Sequence, residues 1–321
     1  MPMRALITGI AGFAGSHLAE LLLKRRFKVS GIDYPGSSLN NLSSCLDKVK
    51  LYQVDLNNFP LLKEAVSDCQ PDLLFHLAAV SSVQDSWENR ELTLRTNIIG
   101  TMNLMESCRH LTHLPRILLV SSSEVYGAVD EEKQPITEET PLQPRSPYAV
   151  SKAALELLGL QYLHSENYPI YLVRPFNHTG PRQLDSFVCS SFARQISEID
   201  KGLREPVLRV GDLSVRRDFS DVRDMVRGYL MVVEKGKVGR VYNLCAGKAY
   251  SIQKVVDILL SLSSSKIKVL QDPSRLRVGE IPLSYGDHSR VRREVGWEPT
   301  ITLNKTLKDT LNYWRGSVGN T

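Results

Sequence analysis

The chain has 321 residues, 42% hydrophobic and 23% charged, with a formal net charge of +5. That length allows one large or two modest domains around a sizeable core, and the balance is that of a globular chain rather than a disordered one. The charge excess is too mild and dispersed for a nucleic-acid binder, suits an anionic small molecule, and comes with no apolar run near the roughly 20 residues that a bilayer crossing needs.

The first apolar run, 4–8, reads as a buried strand rather than a secretory leader, because Thr8, Gly9 and Gly12 punctuate it and a helical pattern follows. Further runs at 28–33, 50–55, 73–77, 117–121 and 170–174 read as strands. Helical spacing lies between them, as in Leu18-Leu21-Leu22 and Ile98-Met102-Met105. This alternation implies an α/β fold: a Rossmann-type, doubly wound parallel sheet covered on both faces. Such sheets bind ligands beyond the carboxyl ends of their strands. After Arg174 the pattern loosens, with Gly- and Pro-containing polar stretches at 177–186 and 202–218 and helical pieces at 187–201 and 252–262. We expect residues 1–174 plus about 215–240 to form the dinucleotide half. A smaller α/β lobe takes about 175–214 and 241–321, and the chain re-enters the sheet near 217–233. Five scattered cysteines (Cys45, Cys69, Cys108, Cys189 and Cys245) with no C-x-x-C pair argue against a disulfide framework or structural zinc. They point to a reducing, cytoplasmic setting, and no metal site is expected.

Thr8-Gly9-Ile10-Ala11-Gly12-Phe13-Ala14-Gly15 joins the first strand to the first helix. A turn free of Cβ atoms lets the backbone approach a pyrophosphate, and the helix N-terminus offers it free N–H groups. Asp33 ends the second strand about twenty residues past the loop, where an acid takes the adenosine ribose hydroxyls. It repels a 2′-phosphate, and no Lys or Arg follows between Tyr34 and Leu46. NAD(H) is therefore favoured, with NADP(H) left open. Asp55, followed by Leu56, ends the third strand; it either reaches the adenine edge or is a turn aspartate.

Tyr148 and Lys152 stand one helical turn apart on one face. A nearby ammonium lowers a phenol pKa and makes it a usable acid or base for carbonyl–alcohol interconversion. Ser121-Ser122-Ser123-Glu124 closes the fifth strand, where a hydroxyl can reach the reacting oxygen. Which serine does so is a question of register.

With these residues the chain resembles the extended short-chain dehydrogenase/reductase family, which acts on nucleotide sugars. The likeness runs nearly end to end: the glycine loop; His76-Leu77-Ala78-Ala79; Asn97 in Thr-Asn-Ile-Ile-Gly-Thr; Ser-Ser-Glu-Val-Tyr-Gly at 122–127; Ser146-Pro147-Tyr148 with Lys152; Arg174-Pro175-Phe176-Asn177; Arg217-Asp218-Phe219; and Gly296-Trp297-Glu298-Pro299. Within the family, Phe176-Asn177-His178-Thr179-Gly180-Pro181, Phe187-Val188, Val210-Gly211-Asp212-Leu213 and Leu276-Arg277-Val278-Gly279-Glu280 resemble the reductases of GDP-4-keto-6-deoxy-mannose. The related GDP-mannose 4,6-dehydratases carry Gln-Asp-Gly where this chain has Phe13-Ala14-Gly15, and a basic pair where it has Asp33-Tyr34.

The resemblance implies residue roles. Tyr148 protonates the C4 oxygen as hydride arrives from the nicotinamide, giving a GDP-6-deoxyhexose (GDP-D-rhamnose). Ser122 hydrogen-bonds the reacting oxygen, and Lys152 lowers the Tyr148 pKa and holds the nicotinamide ribose. Asn97 orients Lys152 through water, and Ala78 lines the dinucleotide. Arg217 and Arg277 grip the diphosphate, Glu280 takes the nucleotide ribose, and Asn177, Val188 and Ser123 border the substrate. Val278 departs from the subgroup's usual Pro. Glu124 stands where dehydratases keep the base for the C5 proton. It keeps dehydration as the alternative reaction, with C4 epimerisation third. A homodimer is implied, built from helices near 91–108 and 148–163 as a four-helix bundle.

Overall fold

The computed structural model describes residues 2–276 and 280–319. In chain order the first half forms β1 (Arg4–Thr8), α1 (Phe13–Lys24), β2 (Lys28–Asp33), β3 (Lys50–Gln53), α2 (Phe59–Cys69), β4 (Leu73–His76), α3 (Val83–Glu88), α4 (Arg90–Leu94), α5 (Gly100–Cys108), β5 (Arg116–Val120), α6 (Pro147–Glu166) and β6 (Ile170–Pro175). A π-helical turn, Arg95–Ile99, joins α4 to α5. The second half adds β7 (His178–Thr179), α7 (Val188–Asp200), β8 (Val207–Val210), β9 (Arg216–Asp218), β10 (Ser220–Asp221), α8 (Val222–Lys235), β11 (Val241–Leu244), β12 (Ala249–Ser251), α9 (Ile252–Ser261), β13 (Lys268–Gln271), β14 (Leu283–Ser284), α10 (Ser289–Val295) and α11 (Leu303–Ser317).

Seven strands form one parallel sheet in the order β11-β6-β5-β4-β1-β2-β3. The expected doubly wound fold is what these residues build. Alternate residues of one strand face opposite layers, as a period of two requires. Ile7, Phe75 and Leu118 pack with Leu18 and Leu22 of α1 and Val226 and Val233 of α8. Their neighbours Leu6, Leu74 and Leu119 pack with Leu62 of α2, Leu104 of α5 and Leu155 of α6. A third core joins Phe192 and Ile196 of α7, Val255 and Leu259 of α9 and Leu307 and Leu311 of α11. This is the core of the smaller lobe.

Two expectations about the second half need correction. The chain does not re-enter the main sheet near 217–233; that stretch is β9, in a small sheet with β12 and β14, then β10 and α8. The returning strand is β11, beside β6. Its run of Val241-Tyr242-Asn243-Leu244 is short and half polar, so it lacks the apolar signature of a buried parallel strand. Residues 241–321 are also not all in the smaller lobe: Val291, Val295 and Trp297 complete the core under α1 and α8.

Candidate active site

The glycine loop leaves β1 at its carboxyl end and is tight enough to need its glycines. Gly9 has φ +72°, and a Cβ there would lie 2.9 Å from Ala78 Cα. A Cβ on Gly15 would lie 2.1 Å from the Gly9 carbonyl oxygen. Gly12 caps α1 with no side-chain bond to its first turn, so the N–H groups at Phe13 and Ala14 face outward without a competing cap. The cradle therefore fits a dinucleotide pyrophosphate. Asp33 is tied to the same loop: its Oδ2 accepts the Ala11 N–H at 2.7 Å and its Oδ1 accepts the Tyr34 N–H at 2.9 Å. A carboxylate has about four acceptor sites, so two remain for ribose hydroxyls. Asp55 makes an Asx turn, its Oδ1 accepting from Asn57 N and Nδ2 at 2.9 and 3.0 Å. Leu56 is buried against Gly100.

Behind the loop runs a buried chain of hydrogen bonds. Thr8 Oγ1 accepts the Ala78 N–H at 3.2 Å and lies 2.7 Å from His76 Nδ1. His76 Nε2 lies 2.8 Å from Thr101 Oγ1, which itself donates to the Asn97 carbonyl at 2.6 Å. With its one proton spent on Asn97, Thr101 accepts, so His76 carries its proton on Nε2. Burial, with help from Lys152, pushes the His76 pKa down to about 3. His76 is thus a neutral strut, not a base.

Asn97 sits in the π-helical turn. Its Oδ1 accepts from Val80 N at 2.9 Å, and its Nδ2 donates to Val80 O at 3.1 Å and Ser151 Oγ at 2.9 Å. Ser151 passes the chain on to the Tyr148 carbonyl at 2.7 Å. Asn97 therefore reaches the helix of Tyr148 and Lys152 one residue before Lys152.

α6 starts where it does for a local reason. Ser146 Oγ accepts the Ala149 N–H at 3.1 Å, and Pro147 follows as a preformed first residue. Tyr148 is thus fixed in the first turn, and Lys152 lies a turn further on. Lys152 Nζ donates to the Val120 carbonyl at 2.8 Å and lies 5.9 Å from the centroid of the Tyr148 ring. Its burial lowers its pKa to about 8, against the pull of Glu156. The Tyr148 phenol is pushed up to about 12 by burial, partly offset by its hydrogen bond with Ser122, while the Glu124 carboxylate adds to the rise. The lowering of Tyr148 by Lys152 expected from their spacing is not seen: burial dominates, and the Ser122 hydrogen bond is what pulls the other way. Of the three serines, it is Ser122 that bonds the phenol. Its Oγ also accepts the Glu124 N–H at 3.2 Å, capping the short turn Ser123–Tyr126.

The residues expected on the substrate side form a second group. Arg217 of β9 donates from Nη2 to Glu280 Oε1 at 2.7 Å and from Nη1 to the Ile281 carbonyl at 2.6 Å. The residues expected at the diphosphate and at the nucleotide ribose are thus one ion pair. Arg277 lies outside the described residues. Asn177 is exposed beside β7, and its backbone carbonyl accepts from Ser220 N at 3.0 Å. Val188 opens α7 and packs against the smaller lobe's core. Sequence reasoning gave no role to the hydroxyls of Thr8, Thr101 and Ser151, which carry the buried chain, although Thr8 opens the glycine-loop motif and Thr101 closes Thr-Asn-Ile-Ile-Gly-Thr. It also gave no structural role to the stacking of His178 on Phe13, at 5.8 Å and 9°, which joins the cofactor loop to the substrate segment.

A parallel Rossmann sheet, a glycine cradle at its carboxyl edge and a buried Ser–Tyr–Lys cluster together define a dinucleotide-dependent oxidoreductase of the extended short-chain dehydrogenase/reductase class. The family model described as GDP-mannose 4,6 dehydratase matches residues 6–310, and the chain belongs to that family. GDP-6-deoxy-D-mannose reductase of Pseudomonas aeruginosa is 35% identical over 321 residues, 99% of both chains. GDP-mannose 4,6-dehydratase of Vibrio cholerae is 32% identical over 95% of this chain and 91% of its own. Among solved structures, RMD from Pseudomonas aeruginosa complexed with NADPH has a TM-score of 0.84 and 33% identity, covering 98% of this chain and all of that one (100%). UDP-glucose 4-epimerase of Thermus thermophilus in complex with NAD has a TM-score of 0.87 and 29% identity, with coverages of 98% and 100%.

Proposed function

We propose that this chain reduces the C4 keto group of GDP-4-keto-6-deoxy-D-mannose, yielding GDP-D-rhamnose. The observation that carries this reading is its likeness, over 99% of both chains, to a GDP-6-deoxy-D-mannose reductase. The site suits the reductive direction. A phenol held near 12 keeps its proton at neutral pH, so Tyr148 is ready to donate it to the C4 oxygen. Ser122 hydrogen-bonds that phenol and aligns the same oxygen. Lys152 places positive charge beside the ring as the phenolate forms. A nicotinamide dinucleotide supplies the hydride. Gly9, Gly12, Phe13, Ala14 and Gly15 would hold its pyrophosphate and Asp33 its adenosine ribose. Asp55, Leu56, Ala78 and Asn97 would border it, with Tyr148 and Lys152 at the nicotinamide ribose. We take NADH as the preferred donor, because the Asp33 carboxylate opposes a 2′-phosphate. Arg217 and Arg277 would clamp the GDP diphosphate, Glu280 its ribose, and Asn177, Val188, Ser123 and Glu124 the sugar.

We further infer a homodimer. Trp87, Leu92, Ile99 and Met102 on α3–α5 and Val150 and Leu157 on α6 are large apolar side chains left exposed. An apolar hollow of about 560 Å³, lined by Glu91, Leu94, Arg95, Ile98 and Ile99, lies on the same face. A second copy packing α4–α5 and α6 as a four-helix bundle would cover them. A cytoplasmic location fits the five free, buried cysteines. Among the described residues, no helix is long and apolar enough to cross a membrane.

One observation favours a second reading. The Glu124 carboxylate is near enough to the Tyr148 phenol to raise its pKa, and by resemblance it holds the position of the base for the C5 proton. Incubation with GDP-4-keto-6-deoxy-mannose separates the readings. Reduction predicts stoichiometric loss of reduced-nicotinamide absorbance, faster with NADH than with NADPH. Conversion of GDP-mannose itself to the 4-keto sugar with catalytic cofactor would make the enzyme a dehydratase. Sugar interconversion without net redox change would make it an epimerase.

A further inference from the structure

The reacting groups sit on two separate elements. α6 carries Tyr148 and Lys152; the turn Ser123–Tyr126, with its cap, carries Ser122 and Glu124. Beneath both lies a buried ionic cluster whose residues carry no proton in the proposed chemistry, although Glu156 also pulls the Lys152 pKa upward. Arg174 of β6 donates to Glu156 of α6 through two parallel bonds, Nε to Oε1 at 2.9 Å and Nη2 to Oε2 at 2.6 Å. The two side chains are only 7% and 4% exposed. The remaining guanidinium nitrogen, Nη1, donates to the Tyr126 hydroxyl at 2.9 Å, and the guanidinium carbon lies 4.9 Å from the centroid of the Tyr126 ring. The Tyr126 hydroxyl in turn donates to Asn243 Oδ1 of β11 at 2.7 Å. Asn243 Nδ2 donates to the Ile136 carbonyl at 3.0 Å.

Stability is a poor explanation for this cluster. A buried ion pair costs its desolvation, and apolar residues of similar size are often as stabilising or more so. What directional bonds do supply is a single geometry. Glu156 stands one helical turn beyond Lys152, on the same face. Tyr126 is the last residue of the turn that Ser122 caps. Arg174 joins them from the strand between β5 and β11. The cluster is thus a rigid link between the helix that bears the phenol and the turn that bears its hydroxyl partner.

We propose that Glu156, Arg174 and Tyr126 are positioning residues that set α6 against the Ser122–Tyr126 turn, holding Ser122, Tyr148 and Lys152 in register for proton transfer. The inference rests on the proposed reaction only in requiring Tyr148 to move a proton, which reduction, dehydration and epimerisation share.

The test separates fold from register. In the full chain, Glu156→Leu with Arg174→Met replaces the pair by apolar residues. The expected result is a thermal midpoint at or above the parent's, an unchanged KM for the nucleotide sugar, and a kcat lower by about 10- to 100-fold, the range for an ångström-scale misplacement. A folded double variant with the parent's kcat overturns the proposal. Should that variant fail to fold, Tyr126→Phe keeps the ion pair and removes only the hydroxyl link. It should lose kcat several-fold at constant KM, and parental kcat there overturns the proposal as well. A crystal structure of the Tyr126→Phe variant supplies a readout that needs no substrate. A Ser122–Tyr148 contact unchanged from the parent's counts against the inference, whereas a parent inactive on GDP-4-keto-6-deoxy-mannose counts against the proposed function.

Discussion

The two ends of the site, the one proposed for proton transfer and the one proposed to grip the substrate, are built on opposite principles. At the first, Lys152, Ser122 and Tyr148 are 3%, 8% and 9% exposed, and each is reached by buried hydrogen bonds from another element. At the second, Arg217 and Glu280 are 15% and 28% exposed and hold one another. A phenol that must keep and then release one proton needs a dry, fixed setting, because its pKa and its aim both depend on it. A guanidinium that grips a diphosphate needs mainly charge and a planar fork, and it works near water. Changes at the first end should therefore appear in kcat, and changes at the second in KM.

The largest expected effect tests the first half of that contrast. Tyr148→Phe should lower kcat by about 10²- to 10⁴-fold, the usual worth of a positioned acid, with KM and the thermal midpoint close to the parent's. Steady-state loss of reduced-nicotinamide absorbance measures it. A variant as fast as the parent would remove the catalytic assignment. Next in size is Arg217→Ala. Losing a hydrogen bond to a charged group costs about 1.5–3 kcal/mol, so KM for the GDP-sugar should rise about 10- to 100-fold at nearly constant kcat. Should kcat fall instead, the grip is part of the chemistry and the contrast fails.

The acidity of Lys152 sharpens the comparison further. Burial holds its ammonium near 8, below its ordinary 10.5. Above about pH 8 the charge beside Tyr148 is lost, so activity should fall by about tenfold per pH unit. Stability should respond with the opposite sign. Between about 8 and 10.5 the unfolded chain keeps a proton that the folded chain has released, so this group's contribution to stability grows as pH rises through that window. His76, near 3, is neutral throughout and adds no limb. A rate profile and melting curves taken across the same buffers would show the two trends part. A rate that stays flat above pH 8 would mean that Lys152 does not act through its charge.

How far these features are legible in the sequence follows from how local they are. Gly9, Gly12 and Gly15, and likewise Tyr148 and Lys152, work at short fixed spacings, so the chain order alone places them together. The strands of the first half announce themselves by short apolar runs, clearly in β1, β4, β5 and β6 and less so in β2 and β3, where Ser30, Gly31 and Gln53 interrupt them. Long-range partnerships do not. Nothing local says that Thr8 bonds His76, that Glu156 meets Arg174 or that Arg217 meets Glu280, because each pair is brought together by sheet order or by a helix packing on its strand. β11 escaped for the opposite reason: its polar members Tyr242 and Asn243 break the apolar run, yet each is buried with its own partner. Even the phenol's acidity depended on a global property. Spacing to Lys152 suggested a lowered pKa, whereas burial, visible only in the folded chain, raises it.

The smallest effect probes the join between local sequence and the buried end. Ser146 caps α6, and its Oγ satisfies the Ala149 N–H in the same turn that carries Tyr148. Ser146→Ala leaves that donor in a mostly buried position without its partner and should cost about 0.5–2 kcal/mol of stability, read by denaturant unfolding. If the cap only stabilises the helix, the folded enzyme keeps its kcat. The cap, however, is one residue from Pro147 and two from the phenol, and the first turn has no intrahelical acceptors for its N–H groups. Fraying there moves Tyr148 away from Ser122 before it moves Lys152, whose Nζ is held independently by the Val120 carbonyl. The expected result is therefore a several-fold loss of kcat with KM unchanged and the Lys152 limb still near pH 8. A loss that appeared in KM instead would mean that the first turn of α6 belongs to the gripping end of the site, and the division drawn between the two ends would have to move.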